Sequence, residues 1–234
     1  MVSEIKVKAL MTAARYENTW CRNQIESVLK HMGIPFEISL GVFYNQCMQK
    51  MIEAAAPVTD YIITIDGDTL FKPSQLQRLL NIAVQEDMDA ITGYQIRRGA
   101  KTMLGCKLDA AGAIEWNGYP IEVDTAHFGL TVLKSSNFAK LPKPWFVCVP
   151  DKNGEWSDDR VDSDVYFWLK WKEVGFKTFI DPDCRLGHME EMIVMYDENY
   201  RPTHFYPKEW IAHNVDTTVA DMVEERAGDV ARCS

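Results

Sequence analysis

Asp60-Tyr61-Ile62-Ile63-Thr64-Ile65-Asp66-Gly67-Asp68-Thr69-Leu70-Phe71-Lys72-Pro73-Ser74 joins an apolar run to a pair of acids. Tyr61 to Ile65 is β-branched and aromatic throughout. Such a run, with no polar face, reads as a strand inside a parallel sheet, covered on both sides. It stops at Asp66 and Asp68, two carboxylates separated by one glycine. Burying charge at a strand end is costly unless something pairs with it. The carboxyl end of a central strand is also where open α/β sheets bind ligands. Carboxylate oxygens suit Mg²⁺ or Mn²⁺, and with such a cation come substrate phosphates. Asp-Gly-Asp is a common turn as well. The strand before it and the Pro73-Ser74 helix start after it favour a metal site at Asp66 and Asp68 that grips a diphosphate.

Working outward, strand and helix patterns alternate over the first ninety-odd residues. Ile5 to Met11 reads as a strand. Asn18 or Thr19 caps a helix with Cys21, Ile25, Val28, Leu29 and Met32 on one face, ended by Gly33. Phe36 to Leu40 is a second strand, and Asn45 is placed to cap a helix with Met48, Met51, Ile52 and Ala55 inward. Beyond the acidic pair, Pro73 opens a helix with Leu76, Leu79, Leu80 and Ala83 inward, and Asp89 to Tyr94 is another strand. This alternation predicts a mostly parallel sheet flanked by helices. No Gly-x-Gly-x-x-Gly or Walker lysine loop is present, so bound phosphates need another source of neutralising charge.

From Arg97 the pattern changes. Met103–Leu108 and Ala113–Trp116 read as a hairpin, and Val123–Leu133 as an extended run with Gly129 inside it. A glycine there marks a bulge or a close approach to the backbone. Val161-Asp162-Ser163-Asp164 leads into a helix with Val165, Trp168, Leu169 and Lys172 on one side. Phe176–Ile180 is a strand, followed by a turn at Asp181-Pro182-Asp183 and then Leu186-Gly187-His188. A last helix is expected near Thr217–Arg226.

The chain has 234 residues, enough for one large domain with a tail. The net charge is −9 and unevenly spread: residues 190–234 hold ten acids against four bases, a balance of −6, which leaves −3 elsewhere. No basic face stands out, so the charge disfavours nucleic acid without closing the question for a modified nucleobase. The six cysteines have neither close pairs nor zinc spacing, which fits a reducing, cytoplasmic setting. The start is not a signal peptide, and no apolar run approaches the ~20 residues needed to span a bilayer.

Taken together, the motifs resemble those of GT-A glycosyltransferases, particularly the family-2-like enzymes. Asp66-Gly67-Asp68 matches the family's Asp-x-Asp. Phe128-Gly129 and Pro144-Trp145-Phe146 match its middle motifs loosely, and Ser163-Asp164-Val165-Tyr166-Phe167 with Gly175-Phe176-Lys177 match its last. Gly187-His188 stands where the family carries a metal-ligand histidine. The resemblance covers about residues 5–190 and implies a GT-A-like mixed α/β domain, with residues 191–234 as an acidic C-terminal extension on or near the acceptor side. It implies a metal held by Asp66, Asp68 and His188, with Asp68 and His188 the most direct ligands and Asp66 nearer the ribose or a metal-bound water. It further implies a nucleotide-diphosphate sugar donor, UDP-sugars leading, and a hydroxyl acceptor: glycan, small molecule, protein or modified nucleobase. Asp164 is then the general base of an inverting transfer. The family's glutamate before the base is Ser163 here, so Asp162 stays a second candidate. Its N-terminal Pro and second-strand Asp-Asp-x-Ser are missing, and Thr12, Arg15 and Glu17 are left as nucleotide contacts.

Each assignment has a structural rival. His188 reads equally as a satisfied core histidine, and Asp164 as an acid helped by a helix dipole. Asp162 reads first as a cap, and His127 as structural, with a place lining the acceptor site as its rival. Arg97 and Arg98 read as a solvated pair, and Trp145, Trp168 and Trp171 as packing. Two other functions compete: a nucleotidyltransferase acting on a sugar phosphate, which lacks its basic glycine-rich loop here, and a non-catalytic nucleotide-sugar-binding module.

Overall fold

A computed structural model describes residues 5–13, 18–41, 43–96, 105–106, 118–157, 159–196, 199–206 and 209. Arg15, Glu17, Arg97, Arg98, most of the expected 103–116 hairpin and the helix expected near Thr217–Arg226 lie outside these residues. In chain order the elements are β1 (Val7–Ala13), α1 (Thr19–His31), β2 (Phe36–Leu40), α2 (Tyr44–Ala55), β3 (Tyr61–Asp66), β4 (Thr69–Leu70), α3 (Pro73–Gln85), β5 (Ala90–Tyr94), β6 (Gly105–Cys106), β7 (Ile121–Val123), β8 (Thr125–Ala126), β9 (Leu130–Lys134), α4 (Ser163–Glu173), β10 (Thr178–Arg185), β11 (Gly187–His188), β12 (Ile193–Tyr196) and β13 (Pro202–Phe205). The chain divides into two units, with the boundary after Met189.

The first unit is built on a seven-stranded mixed sheet in the order β2-β1-β3-β9-β5-β10-β7. β2, β1, β3, β5 and β10 run one way; β9 and β7 run against them. The Tyr61–Ile65 run does sit near the middle, buried on both faces. Ile63 and Ile65 face α1 and α3 through Ile25, Leu29, Leu76 and Leu79. Ile62 faces the opposite layer, where α2 and α4 supply Met48, Ile52, Phe167 and Trp168. Each fully buried isoleucine contributes about 1.5–3 kcal/mol relative to exposure. The result is a mixed, mostly parallel α/β sheet with helices on both faces.

The helix faces of α1, α2 and α3 are those expected, and Asn18 caps α1 by accepting from Trp20 and Cys21 N–H. Other calls need correction. Asn45 does not cap α2: Phe43 holds the cap position, without a side-chain bond, and Asn45 lies within the helix. On α4 the buried residues are Phe167, Trp168 and Trp171, whereas Val165 and Leu169 are only half-buried. The aromatic rings outcompete the aliphatic stripe because they fill a space already lined by Phe128, Phe138 and Phe146. The expected turn at Asp181-Pro182-Asp183 is instead a bulge inside β10: the register on β5 steps from Asp181↔Gly93 to Arg185↔Tyr94. Arg78 of α3 holds it, its Nη2 donating to Asp181 Oδ1 at 3.0 Å, with Asp181 fully buried. Of the 103–116 segment, β6 pairs antiparallel with β8. In the second unit β12 and β13 form an antiparallel ladder, Ile193↔Phe205 to Tyr196↔Pro202.

Candidate active site

β3 ends at Asp66, Gly67 makes the turn, and Asp68 leads directly into β4. β4 pairs antiparallel with β11, setting Thr69 opposite His188 and Leu70 opposite Gly187. Met189 N–H then donates to the Asp68 carbonyl at 2.8 Å. This ladder brings together two side chains 120 positions apart: His188 Nε2 lies 3.3 Å from Asp68 Oδ2. Both remain accessible, with side-chain exposures of 16% and 29%.

The other imidazole nitrogen settles the tautomer. His188 Nδ1 lies 2.8 Å from the Ile96 carbonyl, which can only accept, so Nδ1 carries the proton. Nε2 therefore faces Asp68 either as a bare lone pair or as the second N–H of an imidazolium. As an imidazolium it pairs with Asp68 directly; as a lone pair against a carboxylate it calls for a cation between them, and a histidine whose far nitrogen donates to a backbone carbonyl is the usual state of a metal ligand. The donor set therefore fits Mg²⁺ or Mn²⁺. Among the described residues no three His, Cys, Asp or Glu side chains are grouped to hold an ion by themselves. A cation on Asp68 and His188 would take its other ligands from phosphate and water, as Mg²⁺ commonly does.

Asp66 is the last residue of β3. Its N–H donates to the Gly129 carbonyl at 3.1 Å, and it stands in register with Thr12 on β1. Thr12 and Asp66 thus share one edge of the sheet at the mouth of the site.

Beneath the pair lies a closed polar network. His127 is buried; its Nε2–H donates to the Gly93 carbonyl at 2.9 Å and its Nδ1 accepts from Gly129 N–H at 2.9 Å. With both nitrogens used and burial opposing charge, His127 is held neutral, its pKa lowered to about 4; the hydrogen bond to Gly93 works the other way, and His188 adds to the lowering. It is a structural histidine and does not line an open acceptor site. Gln95, also buried, donates from Nε2 to Thr69 Oγ1 at 3.1 Å and to the Gly187 carbonyl at 3.3 Å.

Asp164 sits in the first turn of α4, its Oδ1 accepting from Val165 N–H at 2.8 Å. Burial pushes its pKa above the ordinary carboxylate range, against that hydrogen bond, and Asp162 adds to the rise. Asp162 occupies the cap position but makes no side-chain cap bond; its carboxylate accepts from Arg160 Nε at 2.9 Å. Tyr44 opens α2 and sets its ring edge-on to Phe146, 6.1 Å between centroids. Its phenol is held protonated well above its usual range by burial first, then by the fields of Asp66 and Asp164. Trp145, Trp168 and Trp171 are core residues.

Sequence reasoning missed Tyr44, Gln95 and the Ile96 carbonyl. Gln95 did leave a signal: it is a polar residue immediately past a predicted strand, at the same sheet edge as Asp66. Tyr44 and Ile96 left none, because nothing local announces which residue a distant strand will bring alongside.

No family model matches the chain, and no curated protein matches it. Among solved structures, A197 from STIV superposes with a TM-score of 0.59 at 14% identity, over 85% of this chain and 93% of that one. That likeness shows a shared fold. Two looser superpositions are GalNAc-T7 with UDP, GalNAc and Mn²⁺ (TM-score 0.48, 10% identity, 80% of this chain and 44% of that one) and CMP:2-keto-3-deoxy-manno-octonic acid synthetase with CTP (TM-score 0.42, 10% identity, 75% and 88%). Both are too loose to bear on function.

Proposed function

We propose that the protein is a metal-dependent glycosyltransferase that moves a sugar from a nucleotide-diphosphate donor to a hydroxyl acceptor with inversion. The observation that carries this reading is the contact of Asp68 Oδ2 with His188 Nε2, 3.3 Å apart, with the imidazole proton committed to Ile96 on the far side. Asp68 and His188 would hold a divalent cation, which would supply Lewis-acid stabilisation of the diphosphate leaving group, while Asp66 and Thr12, in register on adjoining strands, would face the nucleotide. Asp164 accepts the acceptor's hydroxyl proton. Its raised pKa brings it nearer the range useful for a general base.

The test is a thermal-shift panel of nucleotide sugars with and without Mn²⁺, followed by a nucleoside-diphosphate release assay. One donor is expected to raise Tm only when Mn²⁺ is present, and to be turned over slowly without acceptor. Pyrophosphate release from a nucleoside triphosphate and a sugar phosphate would replace this reading with nucleotidyl transfer. Binding without any turnover would replace it with a binding module.

A further inference from the structure

The β4–β11 ladder is only two residues long, yet it sets the distance between Asp68 and His188. Ladders this short are weak alone, so something else must hold the two strands in register. We infer that Gln95 is a positioning residue: its one amide group clamps β4 to β11 and thereby holds the Asp68–His188 pair. The consequence for metal affinity rests on the metal reading above; the clamp itself does not.

Four observations carry it. Gln95 is 1% exposed, so its amide is committed to internal partners. Both N–H donors of that amide are used, on Thr69 Oγ1 at 3.1 Å and the Gly187 carbonyl at 3.3 Å. Thr69 directly follows Asp68 and Gly187 directly precedes His188, so the clamp acts on the neighbour of each functional side chain. Finally, the amide packs closely on Gly129: a Cβ there would come within 2.5 Å of Gln95 Oε1, so only glycine leaves room for it. The Gly129 carbonyl accepts from Asp66 N–H, so the same glycine stands beside the first acid. Gln95 is itself anchored by β5, whose Tyr94 carbonyl accepts from Leu186 N–H at 2.8 Å.

The experiment compares wild type with Gln95→Met, which keeps length and removes the donors, and with Thr69→Val, which removes one acceptor at nearly constant shape. Two quantities are read on folded protein: amide hydrogen exchange at Met189, whose N–H closes the ladder on Asp68, and Mn²⁺ affinity by electron paramagnetic resonance titration in the presence of UDP. Gln95→Met is expected to speed exchange at Met189 roughly tenfold or more while the β5–β9 ladder keeps its protection. It should also weaken Mn²⁺ binding roughly ten- to a hundredfold, the usual penalty for losing a residue that orients metal ligands. Thr69→Val should move both quantities the same way by less, and it serves in place of Gln95→Met should that variant not fold. Unchanged Met189 exchange overturns the clamp, whatever Mn²⁺ does. Faster exchange with unchanged Mn²⁺ affinity, where Asp68→Ala abolishes binding, overturns the positioning role. If wild type binds no Mn²⁺ and Met189 exchange still accelerates, the metal reading fails and the clamp stands.

Discussion

His188 donates from Nδ1 to Ile96 and turns Nε2 towards Asp68, so one imidazole is tied to backbone on one side and to a carboxylate on the other. Asp68→Ala and His188→Ala should each abolish the Mn²⁺-dependent part of turnover with the fold intact by circular dichroism. Full turnover in metal-limited buffer from either variant would remove that residue from the ligand set. Asp164→Asn should keep donor binding while turnover falls roughly 10²- to 10⁴-fold, the usual worth of a general base. A folded-state pKa raised by burial also means that ionised Asp164 strains the fold. The stability it contributes is full at low pH and lost as pH rises through its folded pKa. Asp164→Asn should therefore raise Tm at pH 7, so that one substitution improves the fold and ruins the chemistry. His127 has the opposite sign. Its pKa falls from 6.5 to about 4 on folding, so stability is full above pH 6.5 and declines as pH falls towards 4. The loss amounts to about 3 kcal/mol across that window. Denaturant melts from pH 7 to pH 4 should show it, and His127→Gln should flatten the profile.

At the scale of elements, the bulge in β10 is the feature local sequence misjudged. Asp181-Pro182-Asp183 has turn chemistry, and an isolated peptide would turn there. In the protein Asp181 is instead buried against Arg78 of α3, and the strand resumes to deliver β11 to β4. The Arg78 side chain is 40% exposed while its partner is fully buried, so removing the arginine strands a carboxylate. Arg78→Met should cost about 3–5 kcal/mol in a urea melt, as loss of one partner of a buried pair does. Because β11 follows the bulge, it should also lower Mn²⁺ affinity. A loss under ~1 kcal/mol would mean that the bulge is held mainly by its other bonds, among them Asp183 N–H to Asp181 Oδ1 at 3.2 Å.

Across the first unit the sheet separates two cores, an aliphatic one under α1 and α3 and an aromatic one under α2 and α4. The aromatic core stands behind Asp164, with Phe128 stacked on Trp168 at 5.1 Å and Phe167 on Trp171 at 5.4 Å. Among the described residues both indole N–H groups are buried without a hydrogen-bond partner. They bring ring volume and no polar bond, so the ring is what matters. Trp171→Ala should cost about 3–5 kcal/mol of unfolding free energy. Trp171→Phe should cost less than half of that, since no hydrogen bond goes with the nitrogen; equal losses would show that the indole finds a partner in solution.

Periodicity sufficed for α1, α2 and α3, because each exposes one face and buries the other, and an apolar stripe repeats every three to four residues whatever lies opposite. It sufficed for β3 too, since a strand covered on both sides must be apolar at every position. Only the folded chain decided that β9 enters antiparallel between β3 and β5, that Phe167 rather than Val165 and Leu169 turns inward, and that Ile96 and Gln95 stand behind His188. These depend on contacts across tens to a hundred residues, and no local pattern encodes which distant backbone carbonyl or amide will be waiting there.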